Sequence, residues 1–103
     1  MMQSRFEWDE AKAASNLKKH GISFELAVRA FADPFALSEQ DRIEGGEERW
    51  QTIGRVDGRV VLLVAHAVRD EGGEDEPALE IIRIVSARKA DRKERIRYER
   101  QYG

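Results

Sequence analysis

The run VVLLVAHAV, residues 60–68, is apolar at every position except His66. It is far too short to span a bilayer, and a continuous apolar run of this length suits a central β-strand covered on both faces. The chain must therefore place structure on each side of it. LEIIRIVS, residues 79–86, reads as a second buried strand, interrupted by Arg83. Asp57-Gly58 lies between strand-like runs and predicts a tight hairpin.

Around this pair the remaining elements fall into order. FEWDEAKAASNLKKHG reads as a short strand leading into a helix capped by Asp9 and stopped by Gly21. Ala13, Ala14 and Leu17 are its expected apolar stripe. A second helix starts behind Ser23, with Phe24, Ala27, Val28 and Phe31 on one face, and ends at Asp33-Pro34. FALSEQ and ERWQTIGRV predict strands, with DRIEGGE between them. Segment 70–78 is acidic and Gly-rich and reads as a mobile hairpin loop. SARKADRKERIRYER, residues 86–100, reads as the last helix, capped by Ser86. The order β-α-α-β-β-β-β-α predicts a single α+β domain over residues 1–103, with a mostly antiparallel sheet flanked by helices.

Composition narrows the functional classes. Without cysteine there is neither a disulfide framework nor a thiolate metal site, and the N-terminus lacks a signal peptide's apolar centre. A cytoplasmic domain without metal, cofactor or membrane contact is expected. The net charge of −2 hides an asymmetry: residues 83–103 hold eight basic side chains against three acidic ones. An acidic chain can still carry a local polyanion surface, because binding depends on where the charge lies.

Several residues could carry chemistry. With Ser86 as N-cap, Arg88 and Lys89 would sit in the first helical turn, opposing the helix dipole, and a bound phosphate would relieve that conflict. Arg88, Arg92 and Arg95 would form a stripe; the competing reading is a solvated helix laced by Asp91–Arg95 and Arg95–Glu99 pairs. Arg83 must reach a ligand, solvent or an acid such as Glu7 or Glu48. Lys12, Asn16 and His20 make a polar edge on the first helix, and an imidazole suits proton transfer near neutrality. As a bland alternative, His20 caps that helix's C-terminus. His66 reads as a hydrogen-bonded core histidine, the tryptophans as core, and Tyr98 and Tyr102 as anchors of the last helix. Tyr98 could alternatively stack on a base or donate a proton.

Three blocks, W-D-x-x-K-A-x-x-N-x-x-K-H-G from Trp8, E-x-R-x-x-x-I-G from Glu47 and I-R-I-x-S-A-R-x-A-x-x-x-E-R from Ile82, resemble the BrnT toxins of bacterial type II toxin–antitoxin systems. The resemblance implies a RelE-like fold and a translation-inhibiting endoribonuclease. It also implies neutralisation by a BrnA-like ribbon-helix-helix antitoxin in a hetero-oligomer, with operator DNA reached through that antitoxin. RNA supplies its own nucleophile, the 2′-hydroxyl, so the protein needs only a base, an acid and cations. His20, Arg83, Arg88, Glu94 and Tyr98 are the catalytic candidates, with Lys12, Lys89, Arg92 and Arg95 binding RNA phosphates. The rival reading is a non-catalytic module whose basic C-terminal segment grips a partner protein or operator DNA.

Overall fold

The computed structural model describes residues 3–101, which excludes Tyr102. Strand β1 (Gln3–Glu7) leads into helices α1 (Glu10–His20) and α2 (Phe24–Ala30). Four strands follow, β2 (Leu37–Glu44), β3 (Glu47–Val56), β4 (Val60–Gly73) and β5 (Glu76–Lys89), and helix α3 (Arg92–Arg100) closes the chain. The sheet order is β1-β5-β4-β3-β2, with β1 parallel to β5 and every other pairing antiparallel. As the apolar run requires, β4 is central.

The caps of the first two helices follow from the sequence. Asp9 accepts from Lys12 N at 3.0 Å, Ser23 accepts from Leu26 N at 3.0 Å, and Gly21 closes α1 in the left-handed region. Phe24, Ala27 and Ala30 of α2 pack with Leu62, Val64, Ile82 and Ile84 in the larger core cluster. Complete burial of a side chain such as Phe24 contributes about 1.5–3 kcal/mol. Gly54 on β3 permits this packing, because a Cβ there would meet Ala30 O at 2.3 Å. Asp57 and Gly58 both take positive φ, as a tight type I′ hairpin requires.

The other face of the sheet is only partly covered. At one end α3 lays Tyr98 over Ile53, Val61 and Leu63. The Tyr98 hydroxyl donates to Asp33, which also accepts from Arg55 N at 2.8 Å and Phe35 N at 2.9 Å. Burial pushes the Asp33 carboxyl upward, but the Tyr98 and backbone hydrogen bonds outweigh it and leave the pKa lowered. One carboxylate thus ties the end of α2 to β3 and α3.

Four expectations change. The last helix starts at Arg92, with Asp91 and not Ser86 as its cap. Ser86 to Lys89 instead pair with Leu62 to Ala65 of β4, so Arg88 and Lys89 do not oppose a helix dipole. In α1 the buried residue is Asn16, while Leu17 is 51% exposed and Ala14 is also exposed. Finally, the acidic segment 70–78 is mostly strand, since β4 and β5 stay paired to Gly73 and Glu76 around a short turn.

Candidate active site on the open face of the sheet

Strand alternation puts Arg49, Ala67 and Arg83 in one row across the open face, with Gln51, Ala65 and Ser86 in the next. The two alanines leave a low floor between taller polar side chains. Arg88 belongs to the third row, beside Leu63 and Ile53. Simple alternation from Arg83 would send Arg88 to the opposite face. A bulge prevents this: Ile84 pairs with His66 and Ser86 with Ala65, leaving Val85 as the extra residue. The extra residue turns Ser86 and Arg88 onto the same face as Arg83, while Ala87 stays in the helix-covered core.

The cations on this floor are held differently. Arg83 pairs with Glu47, and Arg69 binds Glu7 at 3.0 and 3.3 Å and lies 4.0 Å from Glu47. The Arg69 hydrogen bond, helped by the charge of Arg83, holds the Glu7 pKa below its ordinary value. Arg88 makes a bidentate contact with Glu94, at 2.8 and 2.9 Å. Glu94 also accepts from Asp91 N at 2.8 Å while its own N–H donates to Asp91 at 2.8 Å, a capping box that opens α3. Its pKa is lowered, first by the Arg88 hydrogen bond. Arg49 differs from both: its Nε is buried without a hydrogen-bond partner.

Helix α1 brings a further edge to this floor. Beyond its pairing with Glu7 at Arg83, β5 has no β1 neighbour. Asn16 takes that place: its Nδ2 donates to Ala87 O at 2.8 Å and to Ile22 O at 2.9 Å, and its Oδ1 accepts from Ala87 N at 3.1 Å. A side-chain amide thus completes the strand edge and clamps α1 to it. One helical turn to either side, Lys12 and His20 line a shallow groove with Lys19, Val85 and Ser86. His20 therefore stands beside the bulge that orients Arg88.

The remaining candidates separate. Tyr98 is 0% exposed with its hydroxyl on Asp33, which is an anchor's environment. Lys89 and Arg95 line a different cavity at the far end of β4, and Arg92 is exposed at the start of α3. The expected Asp91–Arg95 and Arg95–Glu99 pairs are not found among the described residues; Arg95 donates to Ala90 O at 2.9 Å instead. His66 is a core histidine as expected, 2.8 Å from Thr52 Oγ1 and edge-on to Phe31, with burial pushing its pKa down to about 4. Arg83 does find an acid, but it is Glu47 and not Glu7 or Glu48.

Glu47 and Arg49 are fixed positions of the E-x-R-x-x-x-I-G block but received no role from the sequence, and Arg69 was not singled out. The signal for the first two was present in EERWQTIG, residues 47–54, where period-two alternation puts Glu47, Arg49, Gln51 and Ile53 on one face. Among the described residues, no three His, Asp or Glu side chains gather as a metal site requires. No described helix is long and apolar enough to cross a membrane.

The family model for the ribonuclease toxin BrnT of type II toxin–antitoxin systems matches residues 8–94. Nothing among curated proteins matches the chain. Among solved structures, that of the Brucella abortus ribonuclease toxin BrnT is similar, with a TM-score of 0.56 and 21% identity. The match covers 88% of this chain and 100% of that one, and at this identity the likeness speaks for the fold.

Proposed function

The chain belongs to the BrnT family of type II toxin–antitoxin ribonuclease toxins, and from that premise we propose that its open sheet face cleaves RNA without a metal ion. The observation that carries this reading is the placement of Arg49 and Arg83 across the alanine floor, with Arg88 further along the same face and Lys12 and His20 beside Ser86 at its edge. A 2′-hydroxyl loses its proton to a base and attacks the neighbouring phosphorus. The 5′-oxygen leaves and takes up a proton, so the products are a 2′,3′-cyclic phosphate and a 5′-hydroxyl. Guanidinium groups meet the charge that builds on the phosphoryl oxygens.

His20 is the proton-transfer group in this scheme, because it stands in the groove beside Ser86. Glu94 positions Arg88, since both its oxygens are engaged with that guanidinium. Tyr98 holds α3 in place. Arg49 is the cation with most to gain from a phosphate, because its buried Nε has no partner. A BrnA-like ribbon-helix-helix antitoxin neutralises the toxin by covering part of this basic face, and the pair reaches operator DNA through the antitoxin.

Incubation of antitoxin-free protein with total RNA, with and without EDTA, tests the reading. Cleavage that survives EDTA and is lost in Arg88→Ala supports it. Intact RNA from folded protein would move the assignment to a non-catalytic interaction module.

A further inference from the structure

The phosphate-binding candidates do not all gather at the alanine floor. At the other end of β4, a cavity of about 550 Å³ opens between the β3–β4 hairpin and the start of α3. Arg55, Arg59, Lys89 and Arg95 line it over Val61, with Glu99 the one carboxylate among the described residues of its wall. Arg55 lies 5.7 Å above the Tyr98 ring and Arg95 is held by Ala90 O, so the wall is partly fixed by the fold. Arg59 and Lys89 are exposed at its rim. Arg55 also acts on the Asp33 carboxylate, and Arg59, Lys89 and Arg95 against Glu99 leave an excess of positive charge that lowers the cost of admitting an anion.

Its position gives the cavity a meaning. Val61 is six residues from Ala67 on β4, roughly 20 Å along the strand. Between them stands Arg88, one of whose Nη atoms also touches Lys89 O at 3.2 Å. The alanine floor, Arg88 and the cavity thus follow one another along the same side of β4 and β5.

We propose that this cavity is a second phosphate subsite, which holds the RNA chain several nucleotides away from the bond being cut. The assignment rests on the RNA reading of the open face. It adds a length requirement: a dinucleotide fills only the floor, while a longer strand engages both ends.

Binding of fluorescent 2′-O-methyl RNA, which lacks the nucleophile, tests this independently of cleavage. The probes are an octanucleotide and a dinucleotide, titrated over a range of salt with wild type, Arg59→Ala, Arg59→Lys and Arg59→Ala/Lys89→Ala. The double variant is expected to bind the octanucleotide about fivefold more weakly and to lose roughly 1.4 from the salt slope, about 0.7 per cation. Dinucleotide binding should not change, and Arg59→Lys should restore the octanucleotide. Unchanged octanucleotide binding, or equal loss for both probes, would overturn the subsite. So would preferential displacement of the octanucleotide by a glutamate-rich peptide, which would assign the cavity to a protein partner. The expected binding pattern without any cleavage of ordinary RNA would overturn the ribonuclease reading and leave the subsite standing.

Discussion

The two faces of the sheet are built from the same strands and do opposite things. The face under α1 and α2 buries Leu62, Val64, Ile82, Ile84 and Ala87 and admits one polar ring, His66. The opposite face ends its apolar cover at Ile53, Leu63 and Tyr98 and continues as Ala65, Ala67, Arg49 and Arg83. The first face spends its residues on stability. The second leaves charged groups at intermediate burial, where ion pairs with Glu47 and Glu94 fix their geometry and a ligand can still reach them. Among the described residues each face keeps one buried nitrogen without a partner, but on the covered face it is Nδ1 of the neutral His66 ring, whereas on the open face it is Nε of the charged Arg49.

The comparison breaks first at the open face. Arg49→Ala is expected to lower kcat by about 10²–10³-fold while leaving the melting temperature nearly unchanged. Single-turnover kinetics and thermal melts check both halves; a stability loss with intact catalysis would make Arg49 a structural residue. Asn16→Ala should damage both faces, since α1 loses its clamp and the Ala87 N–H and C=O lose their partners. An expected loss of about 3 kcal/mol is readable from urea unfolding.

The covered face has its own test. His66 is held neutral by burial, with a pKa of about 4 against an ordinary 6.5. Unfolding exposes it, so the unfolded chain binds the proton first. Stability is therefore complete above pH 6.5 and falls through the window down to pH 4, by about 3 kcal/mol in all. His66→Gln should flatten that window in unfolding titrations at pH 7 and 4.5. The smallest effect is expected at the capping box. Glu94→Gln keeps its hydrogen-bonding shape but weakens the hold on Arg88, lowering stability by about 1 kcal/mol near neutrality. Because the Glu94 pKa is lowered, that contribution is present above pH 4.5 and is lost as pH falls below it. A difference between the two proteins that persists unchanged at pH 3 would contradict this.

Much of the fold was legible because it rests on local signals: two helix caps, the Asp57-Gly58 turn, the α2 stripe and two apolar runs. The last helix was misplaced because Ser86 looks like a cap in isolation, while the pairing that makes it strand comes from β4. The competing signal, Asp91 followed three residues later by Glu94, was in the sequence and is the capping box observed. Arg83, Arg88, Lys12 and His20 stand out in the sequence one by one, and the structure places them on or beside one face of the sheet. That placement was not legible, because it depends on one extra residue at Val85 and on an asparagine that substitutes for a strand. Neither leaves a periodic trace. Arg69 enters through a cross-strand contact with Glu7, from the other end of the chain.

The end groups left on a short RNA test the central claim most directly, namely that the open face drives attack by the substrate's own 2′-hydroxyl. The cleavage position is first mapped, and mass spectrometry then compares that RNA with a copy carrying one 2′-deoxy sugar there, both in EDTA. The account predicts a 2′,3′-cyclic phosphate and a 5′-hydroxyl from the first and no cleavage of the second at that position. A 5′-phosphate product, or cleavage of the deoxy copy at the mapped bond, would contradict it.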